Sequence, residues 1–418
     1  MSETVSSDSP TGARRRQAWI LLWVLSIAQV ASWGTLYYGF SLFVIPMGQD
    51  LGWSRTAMNG ALSTGLMVWG CTAYLVGNWI DRHGGRAVMT LGSILGGLVL
   101  IAWSQVESLV AFYLLWALLG LSMAATLYQP AFAVVSAAFG ADYRKAITAM
   151  TLVGGFASTI FVPLDQFLID RMGWRDALLV MGAVNLTLCA GIHFFALAGA
   201  AAAPSTGGLP QVGVAVRRAL RTPVFWGLAL WFTAFAAASS ALTFHLVPLL
   251  AGRDVPMATV LLCVALIGPM QVAGRVLLML FGTRLGTREI GRLIVAAMPL
   301  ALLVLILAPP ILPWLFLFAL LHGTGNGVMT IVRGTAVPDL LGREAYGSIN
   351  GLLAFPAQIA TALAPVAVAA IWTVAGRDTV ALWTMFGAAV LAVAGFLVAV
   401  ATAPAPKPAA GPVMSPPV

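Results

Sequence analysis

Arg275 stands inside the apolar run 257–282. Its guanidinium is a planar fork of donors that matches a carboxylate. A charge that deep in an apolar segment is expensive and marks a functional position by default. Anion binding is therefore the chemistry it suggests, the other reading being a structural arginine that satisfies backbone carbonyls or the opposite half of the chain. One run earlier, His245 sits in Thr243-Phe244-His245-Leu246-Val247-Pro248. An imidazole there donates to an anion or takes a proton near neutral pH, or it is a satisfied interhelical histidine. Tyr37, Tyr38 and Tyr128 offer hydroxyls to the same ligand, and Gln271 and Asn326 offer amides; packing is the competing role for each. Asp165 is the carboxylate that falls within a run, a second candidate for proton coupling unless it pairs with Arg171 or forms an outer gate. Arg333, near the end of its run, suits a gate contact better than substrate binding.

These residues need a membrane to hold them. Of 418 residues, 60% are hydrophobic and 9% charged, whereas about a quarter of a soluble domain is charged. Apolar runs long enough to span a bilayer fall at 18–46, 56–80, 87–104, 109–138, 146–169 and 175–198. Six more fall at 223–250, 257–282, 289–308, 313–337, 345–372 and 379–401. The fold class expected is all-α: twelve transmembrane helices in two six-helix bundles, 17–198 and 223–401. A tail at 1–16, a flexible linker at 199–222 rich in small residues, Pro and Gly, and a Pro/Ala-rich tail at 402–418 complete the chain. The first run is too long for a signal-peptide core and is expected to stay.

The formal net charge is +8, which the distribution of its basic residues explains without nucleic acid. Of 22, five (Arg55, Arg171, Arg175, Arg253, Arg377) fall in loops opposite the N-terminus, Arg275 and Arg333 lie within runs, and the other fifteen share the N-terminal face. That excess marks the cytoplasmic side, so both termini are expected there. Cys71, Cys189 and Cys263 all lie in apolar runs, so neither a disulfide framework nor a metal site is expected. No cofactor is called for. An enzyme is disfavoured by the lack of metal-ligand pairs, nucleophile–base pairs and phosphate loops.

Shifting the chain on itself by 202 residues superimposes Pro46 on Pro248, Arg82 on Arg284, Gly84 on Gly286, Gly140 on Gly342, Asp142 on Glu344, Pro163 on Pro365 and Arg175-Asp176 on Arg377-Asp378. Six spans separate the copies, so the halves point the same way. Two parallel bundles around a central path are the architecture of alternating access, with substrate bound near the midplane.

The loop after the second run, Gly77-Asn78-Trp79-Ile80-Asp81-Arg82-His83-Gly84-Gly85-Arg86, resembles the Gly-x-x-x-Asp-Arg-x-Gly-x-Arg signature of the major facilitator superfamily, and the resemblance extends over the whole chain. It implies that Gly77, Asp81, Arg82, Gly84 and Arg86 form a cytoplasmic latch, with Asp81 facing a helix N-terminus or a partner arginine. The second copy, Gly282-Thr283-Arg284-Leu285-Gly286, has Thr283 in place of Asp. Arg275 and the His245 segment are similar to the monocarboxylate transporters and the oxalate:formate antiporter, a branch that holds a carboxylate with an arginine on its eighth helix. The chain departs from these in three places. Gln271 stands where the animal proteins have an aspartate, the first run has no lysine, and the eleventh offers only Asn350 and Gln358. One central cation suits a monoanion better than a dianion, which argues against oxalate.

The function expected is secondary transport of small monocarboxylates such as lactate or pyruvate, with a proton, by a functional monomer in a bacterial inner membrane. The alternatives are exchange or export of another organic anion or a hydrophobic drug, or a transport-like sensor. Gly154, Gly155 and Pro163 do not form the Gly-Pro pair of drug antiporters.

Overall fold

The computed structural model describes residues 12–198, 209–281 and 286–404, and no strand occurs among them. Eleven stretches are long and apolar enough to cross a bilayer. In the first half they are α1 (Arg15–Leu51), α2 (Arg55–His83), α3 (Arg86–Ser104), α4 (Leu109–Phe139) and Tyr143–Ala196. In the second they are α7 (Pro223–Ala251), α8 (Met257–Phe281), α9 (Thr287–Leu307), α10 (Leu312–Leu340), α11 (Tyr346–Ala375) and α12 (Asp378–Thr402).

Tyr143–Ala196 is 54 residues long, about 80 Å if straight, against about 30 Å of bilayer core. It doubles back at Gly173, where φ is +83° and no helix can continue. Phe161 before that point and Asn185 after it meet the same turn of α1. The Phe161 ring fills the place of a Cβ on Gly34, and Asn185 donates to Thr35 Oγ1 at 2.7 Å. The stretch is thus two helices, α5 (143–172) and α6 (174–196), and the spans number twelve.

Helix ends follow their residues. Ser54 caps α2 by accepting from the Ala57 N–H at 3.2 Å, and Thr222 caps α7 from Phe225 N–H at 3.3 Å, with Pro223 in the first turn. The linker expected to be flexible is half helical: Leu209–Leu220 buries Val212, Ala215, Val216 and Ala219 along one stripe against α2, α7 and α11. That spacing is amphipathic, a signal obscured by the preceding Pro and Gly. The helix that carries α1 starts at Gly12, before the expected boundary, and its apolar span opens at Arg15. Residues 1–11, 199–208 and 405–418, and Gly282 through Leu285 of the second signature copy, lie outside the described residues.

Prolines inside the spans move hydrogen bonds from within helices to between them. A proline has no N–H for the carbonyl four residues back, and in lipid that carbonyl needs another donor. The break at Leu127, three residues before Pro130, likewise frees Thr126 O, which takes the Gln29 amide at 2.7 Å. Pro338 frees Gly334 O, which accepts from Tyr346 Oη at 2.9 Å. Pro365 frees Thr361 O, which accepts from Ser240 Oγ at 2.7 Å. Each transferred bond ties one helix of a bundle to another.

The two bundles meet on the face that carries most of the arginines. Gly70, Ala73 and Gly77 of α2 pack against the backbone of Phe355, Gly351 and Gly347 of α11, so closely that a Cβ on Gly77 would occupy the place of Gly347 O. Every hydrogen bond and ion pair between the bundles among the described residues lies between this basic face and the level of Arg275. At the far face each bundle clasps itself instead. Arg175, opening α6, donates to Asp50 at 3.1 Å and to Ser104 O at 2.8 Å. In the second bundle Arg253, after α7, donates to Asp378, opening α12, and to Leu305 O, both at 2.5 Å. The halves therefore part toward the far face.

Candidate functional site

Between the bundles lies a cavity of about 450 Å³. Of the residues proposed from sequence, Tyr37, Tyr38, Tyr128, Gln271, Arg275, Asn326 and Arg333 all line it. A π-helical turn of α1, Gly34–Tyr38, carries Tyr37 and Tyr38; such turns add a residue to the helix and shift the faces that follow. Tyr128 is placed by the break at Leu127, whose ψ of −160° interrupts α4 just before Pro130.

Arg275 is 5% exposed. Its Nη1 donates to Thr151 O of α5, in the opposite bundle, at 2.9 Å, and its Nε donates to Gly327 O of α10 at 3.2 Å. The structural reading of this arginine is thus realised, since it satisfies one carbonyl in each bundle. Nη2 has no protein acceptor among the described residues. Gly154 and Gly155 make room for this arrangement: a Cβ on Gly155 would collide with Arg275 Nη1, and one on Gly154 with Tyr128 Oη.

The first bundle contributes an aromatic wall. Trp33 lies 5.1 Å from Tyr128, 5.3 Å from Tyr37 and 6.0 Å from Trp69, ring centre to ring centre; Phe132 stacks on Tyr128 at 5.0 Å. The indole N–H groups of Trp33 and Trp69 are buried and have no acceptor, which leaves two neutral donors beside the cavity. The second bundle contributes the cations and most of the amides and hydroxyls, including Thr330, Asn350, Gln358 and Ser240. Sequence reasoning missed the hydroxyls, which are unremarkable until the helices are turned to face each other.

Arg333 is half-buried, with its guanidinium 4.7 Å from the centre of the Phe232 ring. It has no carboxylate partner among the described residues. The cavity therefore has two arginines in its wall and no acidic residue, a correction to the expectation of one central cation. The expectation failed because Arg333 was judged by its closeness to the helix end, whereas the cavity reaches that deep.

His245 and Asp165 lie elsewhere. Phe244 and Thr243 line the cavity but His245 does not; one residue turns a helix by about 100° and aims the imidazole at α11, where Nε2 lies 2.8 Å from Pro365 O. The satisfied-histidine reading fits this geometry, and direct contact with a ligand in the cavity does not. Asp165 is fully buried on α5 against Gly39 of α1, and neither carboxylate oxygen has a hydrogen-bond partner. It does not pair with Arg171, which lies over Phe167.

At the basic face Asp81 accepts from Gly347 N at 2.9 Å, from Ser348 N at 2.7 Å and from Ser348 Oγ at 2.7 Å. A carboxylate at the N-terminus of α11 meets free N–H groups and the positive end of the helix dipole. Gly84 takes φ +79° to end α2, Arg86 donates to Phe194 O at 2.9 Å, and Arg82 is exposed. A second bridge went unnoticed in the sequence. Asp339, one residue beyond Pro338, takes Arg144 Nη2 at 2.8 Å and the Tyr143 hydroxyl, joining α10 to α5.

Over 147 residues the chain is 33% identical to monocarboxylate transporter 11 of Mus musculus, covering 34% of this chain and 33% of that one. Over 144 residues it is 30% identical to monocarboxylate transporter 4 of the same species, covering 33% and 29%. The chain thus spans about a third of the length of these curated relatives. Solved structures of like fold include the human organic anion transporter MFSD10, at TM-score 0.69 and 16% identity over 93% of this chain and all of that one. The Escherichia coli fucose:proton symporter FucP matches at TM-score 0.71 and 13% identity, with the same coverage. At these identities they speak for the fold alone. The Major Facilitator Superfamily profile matches residues 22–365, and with twelve helices in two bundles around one cavity, the chain belongs to that superfamily of membrane transporters.

Proposed function

We propose that the chain carries small monocarboxylates of the lactate and pyruvate kind across a bacterial cytoplasmic membrane, in symport with a proton, as a monomer. The observation that supports this reading is Arg275: a buried guanidinium in the cavity wall, one N–H of which holds the opposite bundle. The excess of arginine on the basic face makes that face cytoplasmic, with both termini there, and the geometry described is then outward-open.

A carboxylate entering from outside meets Arg275 Nη2 and, across the cavity, the hydroxyls of Tyr37, Tyr38 and Tyr128. Pairing draws the guanidinium toward the ligand and away from Thr151 O, so loading acts directly on a bond that joins the bundles. A ligand shifts a conformational equilibrium only through contacts that differ between states, and this is such a contact. The reorientation that follows must release the latch at Asp81 and the bridge at Asp339. No carboxyl or imidazole lines the cavity, so the coupling proton travels on the substrate's own carboxyl or through His245 or Asp165 outside it.

The test is uptake of radiolabelled L-lactate and pyruvate into proteoliposomes, with and without an inward proton gradient at clamped voltage. Gradient-stimulated uptake by the wild type that is lost in Arg275→Ala is expected. Wild-type protein that moves neither acid under any gradient would overturn the reading. His245→Gln that retains gradient stimulation would remove the imidazole from the proton path.

A further inference from the structure

The cavity has two cations where one carboxylate needs only one. Arg275 is fixed at the level of Gly327 of α10, and Arg333 follows six residues later on the same helix, about 9 Å deeper at 1.5 Å per residue. Both line the same space and no acidic side chain does. The face of Phe232 lies beside Arg333, and no carboxylate pairs with it among the described residues. A lone monoanion on Arg275 leaves the second charge without an anionic partner in a confined, partly desolvated site, where unpaired charge is costly.

The size and the opposite wall point the same way. A volume of about 450 Å³ falls in the range that holds drug-sized ligands and is far roomier than a three-carbon acid needs. Facing the arginines is a continuous aromatic surface, Trp33, Trp69, Tyr128 and Phe132, whose ring centres are spaced 5.0 to 6.0 Å apart. Flat aromatic bodies pack against such a surface in stacked or edge-on geometry.

We infer that the cavity takes an aromatic dicarboxylate, one carboxylate on Arg275, the second on Arg333, and the ring against the aromatic wall of the first bundle. This rests on the reading of Arg275 as a carboxylate anchor and extends the substrate class from monocarboxylates to aromatic dianions. Arg333 is then a specificity-determining residue rather than a gate.

The experiment is calorimetric titration of the purified full chain with benzoate, isophthalate, succinate and pyruvate, in wild type, Arg333→Gln, Arg333→Lys and Arg275→Gln. Isophthalate is expected to bind wild type at least tenfold more tightly than benzoate or succinate. Arg333→Gln should abolish the preference over benzoate while benzoate itself still binds, which also shows that the variant is folded. Arg333→Lys should restore part of the preference, and Arg275→Gln should lose both aromatic acids. The inference is overturned if isophthalate binds no more tightly than benzoate, if succinate matches it, or if the preference survives Arg333→Gln. Pyruvate binding with no aromatic acid bound would overturn it and leave the monocarboxylate reading standing; with none of the four acids bound, both fall.

Discussion

The guanidinium of Arg275 rests on Gly155 of the opposite bundle, in the space that any side chain at 155 would fill. Because the displaced atom is the end of a long side chain rather than backbone, Gly155→Ala should fold while pushing Arg275 off Thr151 O. A hydrogen bond from a charged donor contributes about 1.5–3 kcal/mol, so substrate affinity and transport are expected to change by about tenfold or more. Uptake measured beside the thermal unfolding curve checks this; a variant that transports normally would mean the contact is incidental.

The bonds of Asp81 join α2 to the start of α11 at the basic face. Asp81→Asn removes the charge and should cost about 2 kcal/mol or more, enough to move the balance between the two open states about 30-fold. Gly77→Ala should act in the same direction, since the atom a methyl would meet is backbone and cannot swing aside. Accessibility of a cysteine at Ser239, which lines the cavity, to an impermeant maleimide from the far face is expected to fall in both. Unchanged labelling would remove the latch from the mechanism.

Gln29 donates to the carbonyl that the break at Leu127 leaves free. Gln29→Leu should therefore destabilise the first bundle by about 1–3 kcal/mol, the penalty of an unsatisfied buried carbonyl. Ser240→Ala should do the same in the second bundle by leaving Thr361 O unsatisfied; there Pro365→Ala supplies an N–H inside a continuous helix, and the double variant Ser240→Ala/Pro365→Ala is expected to recover much of the loss, giving a clear coupling in a double-mutant cycle. Additive effects in detergent unfolding would show that the two positions are independent.

Asp165 has neither a donor nor a cation beside it among the described residues, and a buried unpaired charge costs several kcal/mol. Asp165→Asn should leave the protein at least as stable, with substrate affinity unchanged because the residue is outside the cavity. Comparing uptake with and without a proton gradient then assigns its role: retained stimulation makes Asp165 a packing residue, and lost stimulation at full affinity makes it the coupling site.

The positions legible in the sequence were those where a single residue is improbable in its surroundings. Arg275 and Asp165 are charges inside apolar runs, Asp81 sits in a dense local signature, and twelve spans follow from composition and length. What stayed hidden depends on how helices are turned against each other. Phe244 and His245 are neighbours in the chain but point about 100° apart, so an argument by segment put His245 at the site where Phe244 stands. Gly155 and Asp339 acquire their meaning only from Arg275 and Arg144, 120 and 195 positions away. The linker helix was masked by the Pro and Gly that precede it.

The far-face clasps show what the two halves have kept in common. In the first bundle the acid stands at the end of the opening helix and the arginine begins the last; in the second the signs are exchanged, Arg253 for Asp50 and Asp378 for Arg175. Aligning the halves by identity sets Arg175-Asp176 on Arg377-Asp378 and so matches a working arginine with an idle one. Either polarity fastens the same two helix ends, although the start of a helix favours the carboxylate over the arginine, so the closure is shared while the signs are not. Ancestry in such duplicated proteins is then better sought in which helices are fastened together than in the letters that fasten them.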